Sequence, residues 1–505
     1  MTAEVSALQR VRFIGESTFN TSRIADIAQF VDVPAIEKTP IFTGLEAHQE
    51  PEVVQTHVHG YRDSKMVKGL RSCTLDFSMH LAGTGNMHNG ATLPPLPTLT
   101  DWQMSLLEFL MGGSETVTLG TPGTACTVES TGTTTRAIVM KTNTLSVAPP
   151  GCAFACVMPS GLIEAREIRS YSAGVIVPKI AFSDVPAEDS PIYFGTTFHL
   201  INGLGADLAS IQAICEGVAL EDSFLGMGMC GTYGIDVAPG ALAKLTVKLM
   251  GAAWSKKPEG TALTAPDAFT NFAPLTNMSS ELLVGKVQTR ATWTRSTTTC
   301  TVTSYAHGMA SGETVTLVKS NDITATPLGN EVITVTGVDT FTFACANAGI
   351  TTGGTLTYIA CQLRNQIRHS ASTWQPGLVN VPITSPEGLG NSNITGWKRG
   401  RSRAVTGSFT AYDEPSIPSL IADENVESWQ DADTNETDLA IYQQIGMTTR
   451  GIVLITAPTV QINVVPTRAD ANGLYAQVVS WSGRNDLSSA ETSDVSSSAQ
   501  RITVF

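Results

Sequence analysis

A chain of 505 residues has room for two to four domains and a substantial core, so size does not limit its stability. Only 15% of its residues are charged, and 31 Lys and Arg stand against 45 Asp and Glu; a net charge of -14 excludes a basic nucleic-acid grip. No stretch approaches about 18 uninterrupted apolar residues and the opening MTAEVSALQRVRFIGESTF lacks an apolar core, so the sequence predicts no membrane span, no signal peptide and synthesis in the cytoplasm.

In chain order, the first marked segment is a glycine-bearing arm over residues 40–70. It contains THVHGYRD, whose His57 and His59 would share one strand face with His48 and Asp63 nearby. A metal site there is weighed against a polar surface strand, and the surface strand is preferred. CTLDFSMHL follows, with Leu75, Phe77, Met79 and Leu81 alternating with Thr74, Asp76, Ser78 and His80, the period of a sheet with one buried side. TDWQMSLLEFLMGG then predicts a helix from residue 101. Thr100 and Gln103 make a capping-box pattern, Trp102, Leu106, Phe109 and Leu110 a stripe, and Gly112 and Gly113 a stop.

Cys152 and Cys156 in GCAFACVMP share one strand face without a ligand set around them. All nine cysteines (73, 126, 152, 156, 215, 230, 300, 345 and 361) are expected as reduced thiols packed like small apolar residues. LGMGMCG places Gly226, Gly228 and Gly231 in G-x-G-x-x-G spacing. No apolar parallel strand precedes it and Pro239 falls where a helix should begin, so dinucleotide binding is set aside. Ala243, Leu245, Val247 and Leu249 alternate again with polar residues.

Residues 291–361 stand apart as Thr-rich and paced by short strands, and are expected to be an inserted all-β module that protrudes. Within it, HGMASGETVTL brings His307, Ser311 and Glu313 together. The segment offers no third orienting group or nucleophile elbow, so it reads as a turn, Gly308 and Gly312 allowing positive φ before a strand. A second arm over 375–400 ends in WKRGRSR, with Lys398, Arg399, Arg401 and Arg403. An acidic run then holds Asp423, Glu424, Glu427, Asp431, Asp433, Glu436 and Asp438, and the two are expected to meet between subunits. DLAIYQQIG, 438–446, predicts a second, weaker helix. GIVLITAPTVQINVV predicts a strand pair, with Val460, Ile462 and Val464 alternating with Gln461 and Asn463.

The order arm, strand, helix, strands thus occurs twice, a repeat of architecture more than of letters. The segment CEGVALEDSFLGMGMCGTYGIDVAPGALAKLTVKLMGAAW, 215–254, resembles the closing hairpin of the tail tube (major tail) proteins of long-tailed, siphovirus-type bacteriophages. It offers a Cys230-Gly231 turn, a short strand, a Pro239-Gly240 bend and an alternating strand ending at Gly251. The module at 291–361 is similar to small Ig-like β domains embedded in phage tail proteins. The resemblance implies a mainly β fold of two tandem tube-type sandwich or barrel domains, each with a flanking helix. The first spans 1–260 with its arm, the second 261–290 and 362–505, and the Ig-like module decorates the outside.

It further implies a structural protein of the virion tail, assembled in the host cytoplasm into homotrimeric rings that stack into a tube for genome ejection. The implied partners are further copies of itself and the tape-measure, terminator and distal tail proteins, while DNA passes through unbound. No catalytic, cofactor-binding or metal-binding residue is expected, and Asp76 is the candidate for the lumen, where a net acidic wall would repel DNA. Two other classes remain open: another virion or appendage component such as a capsid protein or adhesin, and a β-sandwich glycan hydrolase. The acids available to the latter, Asp413 and Glu414, are adjacent and would point to opposite strand faces.

Overall fold

A computed structural model describes residues 10–19, 21, 29–36, 40–49, 67–83, 87–89, 102–200, 208–216, 223–238, 240–256, 273–275, 280–321, 328–345, 353–378, 380–384, 394–400, 405–412, 438–448, 451–462, 467–471, 474–485 and 494–505. The described chain is mainly β, in several antiparallel sheets. The alternating segments form strands with their apolar side inward. In Val67–His80, Leu75, Phe77 and Met79 are at most 2% exposed, and they meet Leu249, Val247 and Leu245 of Lys244–Lys256 across the ladder. Burying each such side chain contributes about 1.5–3 kcal/mol.

The largest sheet contains one strand order twice. In the first array the neighbours are Arg10–Gly15, Ile211–Glu216, Phe224–Val237, Lys244–Lys256, Val67–His80 and Ile41–Gln49. In the second they are Ser280–Lys286, Leu439–Thr448, Gly451–Ile462 continuing as Thr467–Ala471, Leu474–Gly483, Val405–Tyr412 and His369–Pro376. Each array takes its six strands from the chain in the same sequence. Even a short flanking strand is repeated, Val31–Val33 against the first strand of one array and Gln366–Ile367 against the first strand of the other. The packing matches in phase: Phe77 lies opposite Val247 as Phe409 lies opposite Val479, and Cys73 opposite Gly251 as Val405 opposite Gly483. One apolar core runs under both arrays.

Two smaller units hang on this frame at different points. A five-stranded sheet, built from Ile138–Val139, Ala153–Val157, Ile163–Ser172, Val175–Pro178 and Ile192–Phe194, interrupts the first array and has its own core around Phe154 and Phe194. A seven-stranded sheet spanning Thr289–Ser296 to Gly353–Ile359 interrupts the second, with a core around Trp293, Phe341 and Tyr358. Arg136 and Arg169 of the first unit bind the second. Arg136 Nη1 pairs with Glu313 at 2.8 Å, and Arg169 donates to the carbonyls of Thr314 and Ile359, both at 3.0 Å. The seven-stranded unit is therefore clamped to the five-stranded unit.

Several local expectations are corrected. The helix expected at 438–446 is the strand Leu439–Thr448, whose first eight residues are all buried. Covered on both sides, it shows no alternation, and its buried glutamines imitate a helix's polar side. Gln444 accepts from the Ala165 amide at 2.7 Å and donates to the Ile163 carbonyl at 2.7 Å. The strand pair expected at 451–465 begins as the single strand Gly451–Ile462, and Pro458 is tolerated because the register shifts there by one residue. Asn463 and Val464 lie outside the described residues. The expected Cys230-Gly231 turn is interior to the unbroken strand Phe224–Val237, and the hairpin with Lys244–Lys256 closes beyond it, where Gly240 has φ 65°; Pro239 lies outside the described residues.

The helix from residue 101 is found as Trp102–Met111 and ends at Gly112, φ 96°. Gln103 serves a different purpose from capping: it accepts from the Ala82 amide and donates to the Ala82 carbonyl. Thr100 lies outside the described residues. Cys300 and Cys345 form a disulfide, since strand Thr299–Thr303 pairs with Thr340–Ala344 and brings residues 45 apart in sequence to a Cα separation of 6.2 Å. The other seven cysteines are free and buried.

Candidate assembly interface

The two arrays meet edge to edge. Beyond the end of Ile211–Glu216, the third strand of the first array keeps an open edge, and His369–Pro376 of the second array fills it. Ile235 lies opposite Trp374, Asp236 opposite Thr373 and Val237 opposite Ser372, antiparallel. Trp374 is 1% exposed and packs edge-on against Trp481 with ring centres 5.0 Å apart. Its indole donates to Gln443 Oε1 at 2.7 Å, and Ser372 Oγ donates to the same oxygen at 2.6 Å. The joint is thus a backbone ladder sealed by a buried aromatic pair, with Gln443 Oε1 accepting from both Trp374 and Ser372.

The second arm fastens the same seam. Its hairpin, Asn380–Thr384 against Ile394–Arg399, lies over the glycine-rich strand of the first array. Trp397 donates from Nε1 to the Gly228 carbonyl at 2.8 Å and accepts from the Leu208 amide at 3.0 Å, while Asn380 Nδ2 donates to the Gly231 carbonyl at 2.9 Å. Gly228 sits at φ 57° in a bulge, its amide donating to Glu16 Oε1 at 2.8 Å, and a Cβ there would stand 2.9 Å from Phe19. The G-x-G-x-x-G spacing therefore marks a strand that receives a neighbouring arm.

The candidates from the sequence fall as follows. Asp76 is half-buried, opposite Ile41 on one side and Lys248 on the other. Asp236 faces Lys244 in the same way, so this side of the first array alternates charge. The matching side of the second array is uncharged, with Ser408 opposite Ser480 and Thr406 opposite Ser482. Lys398 is exposed on the arm hairpin, and Arg399 closes the strand. Arg401, Arg403, Asp413, Glu414, Asp423, Glu424, Glu427, Asp431, Asp433 and Glu436 lie outside the described residues, as do His57, His59 and Asp63. Asp438 pairs with Arg484 within the chain. His307 accepts from the Met309 amide at 3.1 Å and stacks edge-on against Phe341, while Ser311 Oγ accepts from the Val335 amide at 2.8 Å. Gly308 and Gly312 have positive φ in this turn.

No family model matches the sequence, and no curated protein does.

Sequence reasoning missed the buried charges that hold the five-stranded unit to the frame. Glu167, 1% exposed, meets Arg501 at 3.0 Å and Lys179 at 3.2 Å and accepts from Thr456. Arg166 meets Glu164 at 2.7 Å and Glu281 at 3.3 Å, and Glu281 also pairs with Arg364. The only visible signal was the charged stretch EAREIR in a strand-like segment. Its partners lie far away in sequence, Arg501 334 residues from Glu167. Burial pushes the free thiols up, Cys73 to about 12, Cys361 to about 12 and both Cys126 and Cys215 to about 11. Cys152 and Cys156 shift the same way by burial. Among the described residues no three His, Cys, Asp or Glu converge as metal ligands, and no helix is long and apolar enough to cross a membrane.

Proposed function

We propose that the chain is a structural virion subunit, the tail tube protein of a long-tailed bacteriophage, polymerising as stacked rings around a conduit for DNA. The observation that carries the reading is the strand order that occurs twice with its two copies joined edge to edge. A chain that already contains one such joint between like units is suited to repeat it between copies, because an exposed strand edge accepts another strand. In this reading the two arrays are tandem tube domains, three copies make a ring of six units, and the seven-stranded unit is the Ig-like decoration. The hairpin of Asn380–Thr384 and Ile394–Arg399, which clasps the neighbouring array, suggests for the arm over 40–70 a like role toward a neighbouring copy.

Beside Asp76 the side is charge-balanced, Lys248 and Lys244 opposing Asp76 and Asp236, where a net acidic wall was expected. Acids opposed by lysines, continued as a hydroxyl-bearing strip, give DNA no run of cations to release counterions against. Negative-stain microscopy and mass measurement of an isolated ring test the proposal: three-copy rings stacked into tubes are expected. Six-copy rings sink the duplication, and shells or persistent monomers sink the tube. Tight binding of duplex DNA at physiological salt sinks the conduit.

A further inference from the structure

The joint inside the chain defines a second joint through its counterparts. Matching the arrays by register, Lys244 faces His80 as Ala476 faces Tyr412, so Asp236, opposite Lys244, corresponds to Ala469, opposite Ala476. On the far side, Asp76 faces Ile41 as Ser408 faces Thr373, so Ile41 corresponds to Thr373. The internal contact of Asp236 with Thr373 therefore has an unused counterpart, Ala469 with Ile41.

Both strands that would make it have an open edge. Among the described strands, Thr467–Ala471 pairs only with Leu474–Gly483, and Ile41–Gln49 only with Val67–His80. Ile41 is 60% exposed, although its neighbours in the array are core strands, and Thr43 is exposed beside it. An exposed β-branched hydrophobe on an uncovered edge invites a further strand.

We propose that a second copy of this chain docks here, Thr467–Ala471 of one copy adding antiparallel to Ile41–Gln49 of the next with Ala469 opposite Ile41. The contact is head-to-tail, and each copy keeps one edge of each kind, so the same joint closes a ring or continues a helix. It rests on reading the chain as a self-assembling subunit, and commits that reading to one pair of strands and one register.

Two measurements test it. Residues directly opposed in an antiparallel ladder have Cα atoms about 4.5–5.5 Å apart, within disulfide reach, while a diagonal pair at about 7–8 Å is beyond it. Oxidation of the Ile41→Cys, Ala469→Cys double variant should give a ladder of covalent multimers on a non-reducing gel, collapsed by reductant. The Thr43→Cys, Ala469→Cys control should give about tenfold less cross-linking. In the unmodified protein, amide hydrogens of 41–49 and 467–471 should exchange about tenfold more slowly in the assembled than in the monomeric fraction. That second measurement decides the matter if the variants misfold. Assemblies that form without the ladder and without added protection in both segments overturn the joint and leave the assembly reading standing. A chain monomeric at every concentration overturns both.

Discussion

Replacing Trp374 by alanine tests the joint between the arrays from the inside. The indole is 1% exposed, packs edge-on against Trp481 and donates to Gln443. Truncating a buried Trp to Ala costs about 3–5 kcal/mol in lost burial and cavity, a range that already includes most of its aromatic pairing. Gln443 Oε1 keeps the Ser372 hydroxyl as donor, so no large penalty for an orphaned acceptor is added. The expected loss is therefore about 4 kcal/mol for Trp374→Ala. Trp374→Phe keeps the aromatic contact and gives up one hydrogen bond, a loss of about 1 kcal/mol. Urea unfolding followed by far-UV circular dichroism gives both numbers by linear extrapolation. An alanine variant within about 1 kcal/mol of the parent, or no difference between the two variants, would refute the packing argument for the seam.

Removing the charge of Glu167 by Glu167→Gln leaves Arg501 and Lys179 buried without their carboxylate; a loss of about 3–5 kcal/mol is expected from calorimetric or urea unfolding, and a neutral result refutes the network's importance. The seven free thiols should stay silent to a thiol reagent in the folded protein at pH 8 and all react in denaturant, with two more appearing after reduction; fast labelling of any of the seven contradicts their burial. Burial holds His369 below the ordinary histidine value, so on acidification from pH 7 the unfolded chain takes up its proton first and stability falls through about pH 6.5. His369→Asn should flatten that slope by at most about 1.4 kcal/mol per pH unit in urea titrations, and an unchanged slope removes His369 as a contributor. A chain joining Gln288 to Gln362 through a Gly-Ser linker should still fold, with a lowered melting temperature because Arg136 and Arg169 lose their partners; an insoluble product makes the seven-stranded unit part of the core.

What could be read in advance followed from burial on one side only. CTLDFSMHL and AKLTVKL alternate because one side of each strand meets the core and the other does not, and both are strands with that phase. DLAIYQQIG was misread because both of its sides are covered, by the core and by the five-stranded unit through Ile163 and Ala165, which erases the period. The five-stranded unit itself passed unseen, its strands being two to ten residues long among Thr, Gly and Pro. The seam was illegible for a different reason. Trp374 and Trp397 look like isolated aromatics until the chain brings Gly228, Ile235 and Gln443 beside them. The expected order of arm, strand, helix and strands fails in the second half, where the helix is the strand Leu439–Thr448; the repeat that is present is one of strand order, and it needed the ladders.

Fusing two arrays in one polypeptide changes the kinetics of building anything from them. The joint at Ile235 and Trp374 closes within one molecule, at an effective concentration on the order of millimolar and without loss of translational freedom. A joint between chains has to wait for encounter at whatever concentration the cell supplies. In the proposed ring every second joint would be made during folding, so the joints left to form between chains would be halved and half-built rings with an odd number of arrays would not arise. In such an assembly the seams would be unequally vulnerable: dilution would open those between chains and leave those within a chain intact.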